Sequence, residues 1–186
     1  MTRRRSILRD AITAFAALAL LGLLALKLQD GANNLYSGRF QAVDGDTLRL
    51  GDIRVRLTGI DAPEYLQTCR RDEADWPCGR EAKRLLSTLV SADTVECTGS
   101  GEDRYGRQLA VCRIGVTDLN GEMVRRGMAV AYGAYNDEEA AARDEETGLW
   151  SGTFEMPEDW RRREAPGIER TPSSIPWLGY VIDLFG

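Results

Sequence analysis

Apolar positions along the 186-residue chain change their spacing from segment to segment, and the changes mark out the elements. Residues 11–26 form an uncharged, Ala- and Leu-rich run with no polar face, which predicts a hydrophobic helix near the N-terminus. Residues 38–43 and 48–50 read as strands, and Ile53-Arg54-Val55-Arg56-Leu57 alternates with period two, as a half-buried strand does. Gly51-Asp52, between apolar flanks, is a two-residue hairpin signal. Asp61-Ala62-Pro63-Glu64 cannot continue a strand, because proline lacks an N–H and two carboxylates flank it. The period then switches. Ala82, Leu85, Leu86, Leu89 and Val90 share one helical face and predict a helix over 79–91. Residues 94–97 and 108–114 read as antiparallel strands around a polar loop, 99–107. Asn120 is placed as the cap of a short helix ending at Gly127. Residues 129–132 follow as a short strand, and 136–148 as a last, acidic, solvated helix. Short strands divided by turn signals, with helices between and after them, predict an α+β fold: a small barrel with helices.

The ends differ from this body. Arg3, Arg4, Arg5 and Arg9 precede the apolar run, which is the layout of an export signal. Arg4-Arg5-Ser6-Ile7-Leu8-Arg9 also loosely resembles a twin-arginine signal. With no A-x-A site just after Lys27, the run reads as an uncleaved single-pass anchor in preference to a cleaved signal. The N-terminal arginines then predict a cytoplasmic N-terminus and an exported body, held at the inner membrane on the periplasmic side, or secreted if cleaved. Residues 156–186 hold four of the six prolines and the run Arg161-Arg162-Arg163, and read as a loosely ordered tail. The apolar segment 175–185 is too short to span a bilayer. Three segments result: 1–34 as signal or anchor, 35–155 as the folded domain, and 156–186 as the tail.

Composition narrows the chemistry. The chain has no histidine, so neither a Ser-His-Asp triad nor a His zinc site can form. Acid–base work falls to carboxylates, and electrostatic work to arginine or a hard metal. All of the 24 basic residues except Lys27 and Lys83 are arginines. The formal net charge of −5 argues against a broad basic footprint for nucleic acid, but leaves room for a small cleft. Four cysteines in an exported chain read as disulfides with three conceivable connectivities. Cys69–Cys78 and Cys97–Cys112 are preferred because each closes a short segment, worth about 2–3 kcal/mol apiece. A four-thiolate zinc site is the alternative, although the spacings lack any C-x₂₋₄-C knuckle.

Asp46 and Asp61 fall at strand ends that a barrel can bring together, and paired carboxylates suit a hard cation. Glu64, three residues beyond Asp61, is within reach of a metal-bound water. Arg56 and Arg107 supply bidentate phosphate recognition. That inventory suits metal-assisted cleavage of a phosphodiester. Taken singly, Asp44-Gly45-Asp46 is equally a turn, Arg56 a solvated strand residue, and Arg107 a partner for nearby acids.

Three strings carry a resemblance: Val43-Asp44-Gly45-Asp46-Thr47, Arg56-Leu57-Thr58-Gly59-Ile60-Asp61-Ala62-Pro63-Glu64 and Asp103-Arg104-Tyr105-Gly106-Arg107. In order and spacing they resemble the staphylococcal nuclease (thermonuclease) family over about residues 38–152. The resemblance implies an OB-fold five-stranded barrel with about three helices, here preceded by the N-terminal hydrophobic helix. It implies Ca²⁺-dependent hydrolysis of DNA and RNA with little sequence specificity, leaving 3′-phosphate ends. By the same resemblance Asp46 and Asp61 are calcium carboxylates, Ala62 lends a backbone carbonyl, Glu64 is the general base, and Arg56 and Arg107 bind phosphate. Arg104 and Tyr105 match the pair that contacts a terminal phosphate, and Tyr132 a tyrosine beside the nucleotide. Tyr135 falls one place late for a second such tyrosine. The partners implied are DNA and RNA, with the membrane through the N-terminal helix; no protein partner is implied and the chain is expected to be a monomer. Competing readings are a catalytically silent OB-type nucleic-acid-binding module on a membrane tether, and a disulfide-stapled envelope scaffold. Residues 35–155 carry 15 basic and 22 acidic residues, so modest affinity and strong salt sensitivity are expected.

Overall fold

The computed structural model describes residues 12–23 and 34–164. Residues 12–23 are helical and exposed. Among the described residues no helix is long and apolar enough to cross a membrane. The basic cluster at residues 3–9, both ends of the 11–26 run and the apolar segment 175–185 lie outside the described residues.

Eleven short strands among the described residues build the body. Strands β1 (Leu35–Gly38) and β2 (Gln41–Ala42) are two halves of one bent run, with Phe40 buried at the bend. β3 (Thr47–Leu50) and β4 (Ile53–Leu57) form the expected hairpin, pairing Leu50 with Ile53 across Gly51-Asp52. The period-two reading holds at its inner end: Val55 and Leu57 are buried, while Arg54 faces out. β8 (Val95–Glu102) and β9 (Gln108–Ile114) complete the sheet, in the order β1-β8-β9-β4-β3-β2. β4 and β9 run parallel and all other neighbours in this path run antiparallel. The sheet curls so far that its two edge strands, β1 and β2, are consecutive in the chain.

β8 is longer than its expected extent of 94–97. Gly101, at φ 136°, takes a register shift after Gly99 that lets the ladder continue to Glu102 opposite Gln108. The loop expected over 99–107 shrinks to a turn, in which Asp103 Oδ1 accepts from the backbone N–H of Tyr105 and Arg107. Cys97 and Cys112 lie directly opposite each other on these strands and form one disulfide, and Cys69 and Cys78 form the other. No described cysteine is free, so the zinc alternative is excluded.

α1 (Cys78–Ser91) buries Ala82, Leu86 and Val90 against the sheet, with Leu85 and Leu89 at the edge of the same face, as its periodicity predicts. Ahead of it, β6 (Cys69–Arg71) and β7 (Ala74–Trp76) form a small hairpin tied to α1 by the Cys69–Cys78 disulfide. After β10 (Thr117–Asp118) comes α2 (Leu119–Arg125), and its cap differs from expectation. Asp118 is the cap, accepting from the N–H of Asn120 and Gly121. Asn120 is wholly buried instead: its Oδ1 accepts from Cys112 N–H, and its Nδ2 donates to the carbonyls of Thr58 and Ala110. A buried position demands a side chain that satisfies strands on both sides, and only an amide does so here.

β5 (Ile60–Asp61) pairs antiparallel with β11 (Val130–Ala131), setting Asp61 opposite Val130. α3 (Asn136–Asp144) ends sooner than the expected 148 and is followed by a 3₁₀ turn, Gly148–Ser151. Pro157–Glu164, expected as loose tail, is a further helix, α4, with Pro157 buried at its start. The strands and three helices of the body agree with an α+β reading.

Candidate active site

The loop between β2 and β3 folds back on itself. Val43 N–H donates to the Thr47 carbonyl and Asp46 N–H to Asp44 Oδ1. Gly45 sits where a Cβ would come within 2.7 Å of the Ala62 Cβ and 2.8 Å of the Ala82 Cβ, so only glycine lets this loop approach the 61–64 segment and α1. The result turns Asp46 inward. It is buried, accepting from the Thr47 hydroxyl at 3.0 Å and from Ala62 N–H at 3.3 Å.

Arg56 projects from β4 between the two aspartates. One terminal nitrogen lies 2.7 Å from Asp46 Oδ2, and the other is 3.0 Å from Asp61 Oδ1. Burial, helped by repulsion from Asp44 and Asp61, outweighs the pull of Arg56 and of the Ala62 N–H and leaves the Asp46 carboxyl raised to about 7. Burial alone would lower the Arg56 guanidinium, but the attraction of Asp46 and Asp61 outweighs it and raises its pKa. Arg107 reaches in from the end of the β8–β9 turn, just before β9 begins. Its Nε donates to Asp103 Oδ2 at 2.8 Å, and its Nη1 stands 3.4 Å from the Thr47 hydroxyl. Several bonds from Arg107 and Tyr105 N–H overcome slight burial and hold Asp103 below the usual carboxylate range.

Glu64 is held by its main chain. Its N–H donates to Gln67 Oε1 at 3.2 Å and its carbonyl accepts from Gln67 N–H at 2.7 Å. The buried Gln67 also donates from Nε2 to the Glu155 carbonyl, 2.7 Å away. Helix α1 presses on this segment so closely that a Cβ on Gly79 would fall 1.7 Å from the Glu64 carbonyl oxygen.

Asp44, Gly45, Asp46, Arg56, Ala62, Glu64 and Arg107 line one polar cavity of about 50 Å³. Asp61 joins through Arg56. That space suits a small ion with a water. No group of three or more acidic or thiol side chains forms a ready cation cage among the described residues. The donors that fit a hard cation are two buried carboxylates, completed by main-chain oxygen and water.

Three expected residues stand apart. Arg104 and the exposed Tyr105 lie on the β8–β9 turn, with the Arg104 guanidinium 4.8 Å and that of Arg107 5.6 Å from the Tyr105 ring centre. Tyr132 is exposed, its N–H on the Gly59 carbonyl. Tyr135, the displaced second tyrosine, is not free to stack: its hydroxyl binds both oxygens of Asp118, and burial followed by Asp118 raises its pKa to about 12.

One side chain that contacts these carboxylates was not foreseen. Arg161, on α4, places its guanidinium 2.8 and 3.0 Å from the two oxygens of Asp61 and 3.0 Å from Glu64 Oε1. Burial alone would lower its pKa, but these bonds raise it. The basic run was visible in the sequence, and helical spacing held a partial signal. Arg162 finds Glu158 four residues back and Asp159 three back, whereas Arg161 has Pro157 at the first of these places.

Residues 54–152 match the family described as Staphylococcal nuclease homologue. Among curated proteins, an uncharacterized endonuclease of Haemophilus influenzae is 36% identical over 148 residues, 71% of this chain and 78% of that one. A micrococcal nuclease of Shigella flexneri is 32% identical over 178 residues, covering 83% and 96%. A succinoglycan biosynthesis protein, ExoI, of Rhizobium meliloti is 31% identical over 163 residues, covering 83% and 84%.

Proposed function

From the premise that this chain belongs to the staphylococcal nuclease family, we propose that it hydrolyses phosphodiester bonds of DNA and RNA with little sequence specificity, using Ca²⁺ and leaving 3′-phosphate ends. The observation that carries this is the convergence of Asp46, Glu64, Arg56 and Arg107, drawn from separate stretches of chain, on one small polar cavity, with Asp61 tied to it through Arg56. The OB-type barrel belongs to the same reading: β1 and β2 act as the single bent strand that closes the ring.

Asp46 and Asp61 would hold the calcium ion, with the Ala62 carbonyl as a main-chain donor. Bound there, the ion neutralises phosphate charge and lowers the pKa of water. Glu64, half-exposed beside the buried pair, accepts the proton of the attacking water as it adds to phosphorus. Arg56 and Arg107 hold the phosphoryl oxygens as negative charge builds in the transition state. The bond to the 5′ oxygen breaks, giving a 3′-phosphate and a 5′-hydroxyl. Arg104 and Tyr105 take an outer phosphate, and the exposed face of Tyr132 supports a base. The two disulfides support an extracytoplasmic site of action, and the apolar N-terminal run an anchor or signal. The test is cleavage of single- and double-stranded DNA and of RNA by the full chain in calcium against a chelator. Cleavage in calcium but not in chelator, with products that accept 5′ phosphorylation and carry 3′-phosphate, is expected; cleavage that survives the chelator, or products whose 5′ ends already carry phosphate and refuse the kinase, overturns the reading.

A further inference from the structure

Helix α4 enters the cleft with a single side chain. Arg161 binds both oxygens of Asp61 and one of Glu64, while Arg162 and Arg163 pair with Glu158, Asp159, Glu155 and Glu164 outside the cleft. Helical phase therefore selects one arginine of three; this is not a basic run lying loosely on an acidic face. The helix is also seated from beneath, through buried Pro157 and the bond from Gln67 to the Glu155 carbonyl.

A carboxylate has about four acceptor positions. On Asp61, Oδ1 accepts from both Arg56 and Arg161, and Oδ2 accepts from Arg161. On Asp46, Oδ2 faces Arg56 and Ala62 N–H, and Oδ1 accepts from Thr47. Few positions remain for a cation. Arg56 cannot yield them without stranding two buried carboxylates, but Arg161 can: its side chain is 38% exposed and solvent lies beside it.

We propose that Arg161 is a built-in competitor for the metal, so that docking of its guanidinium on Asp61 and Glu64 and binding of a calcium ion exclude each other. The inference rests on the calcium-nuclease reading above and adds regulation of that site by a helix outside the matched residues 54–152. Coupling of this kind is reciprocal: whatever holds α4 in place weakens the ion, and the ion loosens Arg161. With the guanidinium displaced, Glu64 is freed to meet water.

The test is calorimetric titration of calcium into the full chain without substrate, comparing wild type with Arg161→Gln and Arg162→Gln. Both substitutions remove one positive charge from the same helix, so bulk charge affects them alike. Arg161→Gln is expected to bind calcium about tenfold more tightly, with Arg162→Gln matching wild type. Equal or weaker binding by Arg161→Gln overturns the proposal. Unchanged calcium affinity with weaker binding of a nucleoside 3′,5′-bisphosphate would assign Arg161 to substrate phosphate instead, and equally overturns it. If none of the three forms binds calcium, the ion site fails along with the competitor; if all bind alike, the competitor alone fails.

Discussion

Asp61 is gripped by two arginines from regions of opposite character. Arg56 belongs to β4, a strand paired on both sides, with β3 and with β9. Its side chain is 20% exposed and satisfies two buried carboxylates at once. Arg161 belongs to an eight-residue helix of mostly charged residues, and meets Asp61 from the solvent side. The contacts are alike in length, yet their consequences differ. A cation in the sheet is part of what lets Asp46 and Asp61 be buried at all; a cation on α4 is removable. Distance alone does not tell a structural ion pair from a switchable one; burial and the stiffness of the supporting element do.

Glu64→Gln gives the largest expected effect, because it removes the proton acceptor and leaves Arg56 and Arg107, which are bonded to other carboxylates, where they are. Turnover should fall by about 10²–10⁴-fold with little change in the thermal unfolding midpoint. A variant with full turnover would remove Glu64 as the base. Next in size is the direct contrast between the two regions. Arg56→Ala leaves two buried carboxylates facing each other and should cost about 3–5 kcal/mol in calcium-free urea unfolding. Arg161→Ala should cost less than about 1 kcal/mol in the same measurement, as a partly exposed pair does. Equal losses would erase the distinction between structural and switchable cation. Smaller than the Arg56 loss is that of Gly79→Ala, whose new methyl meets the Glu64 carbonyl and must push the loop away from α1. About 1–3 kcal/mol is expected, and the shift should appear as altered amide resonances at Glu64 and Gln67 more than at Asp46.

The parts legible in the sequence were those fixed by local pattern. The alternation of 53–57, the apolar face of α1 and the two cysteine pairs, 9 and 15 residues apart, each follow from spacing within one short stretch of chain. The motif strings gave the cleft because each puts its charged residue at a strand end or tight turn. What was hidden depends on distant partners. β6 and β7 have no apolar period, since Arg70 and Asp75 face outward and the half-buried position 71 is an arginine, bonded to the Gly148 carbonyl; the hairpin is held by the Cys69–Cys78 disulfide and a bridge from Arg70 to Thr153. Asn120 resembled a cap because caps and buried amides draw on the same residue type, and only the strands around it decide between them. Helix α4 looked loose because almost nothing in it is apolar; it is held through Gln67, 88 residues from Glu155, and through Asp61, 100 residues from Arg161.

Gln67 joins these regions by offering opposite polarities at its two ends, an oxygen toward the Glu64 amide and a nitrogen toward the Glu155 carbonyl. A glutamate of the same shape would keep the first bond and set oxygen against oxygen at the second. The segment bearing the proton acceptor and the approach to the C-terminal helix thus share one carboxamide as their crossbar, and an ionised side chain at position 67 would part them without touching a single charged residue of the cleft.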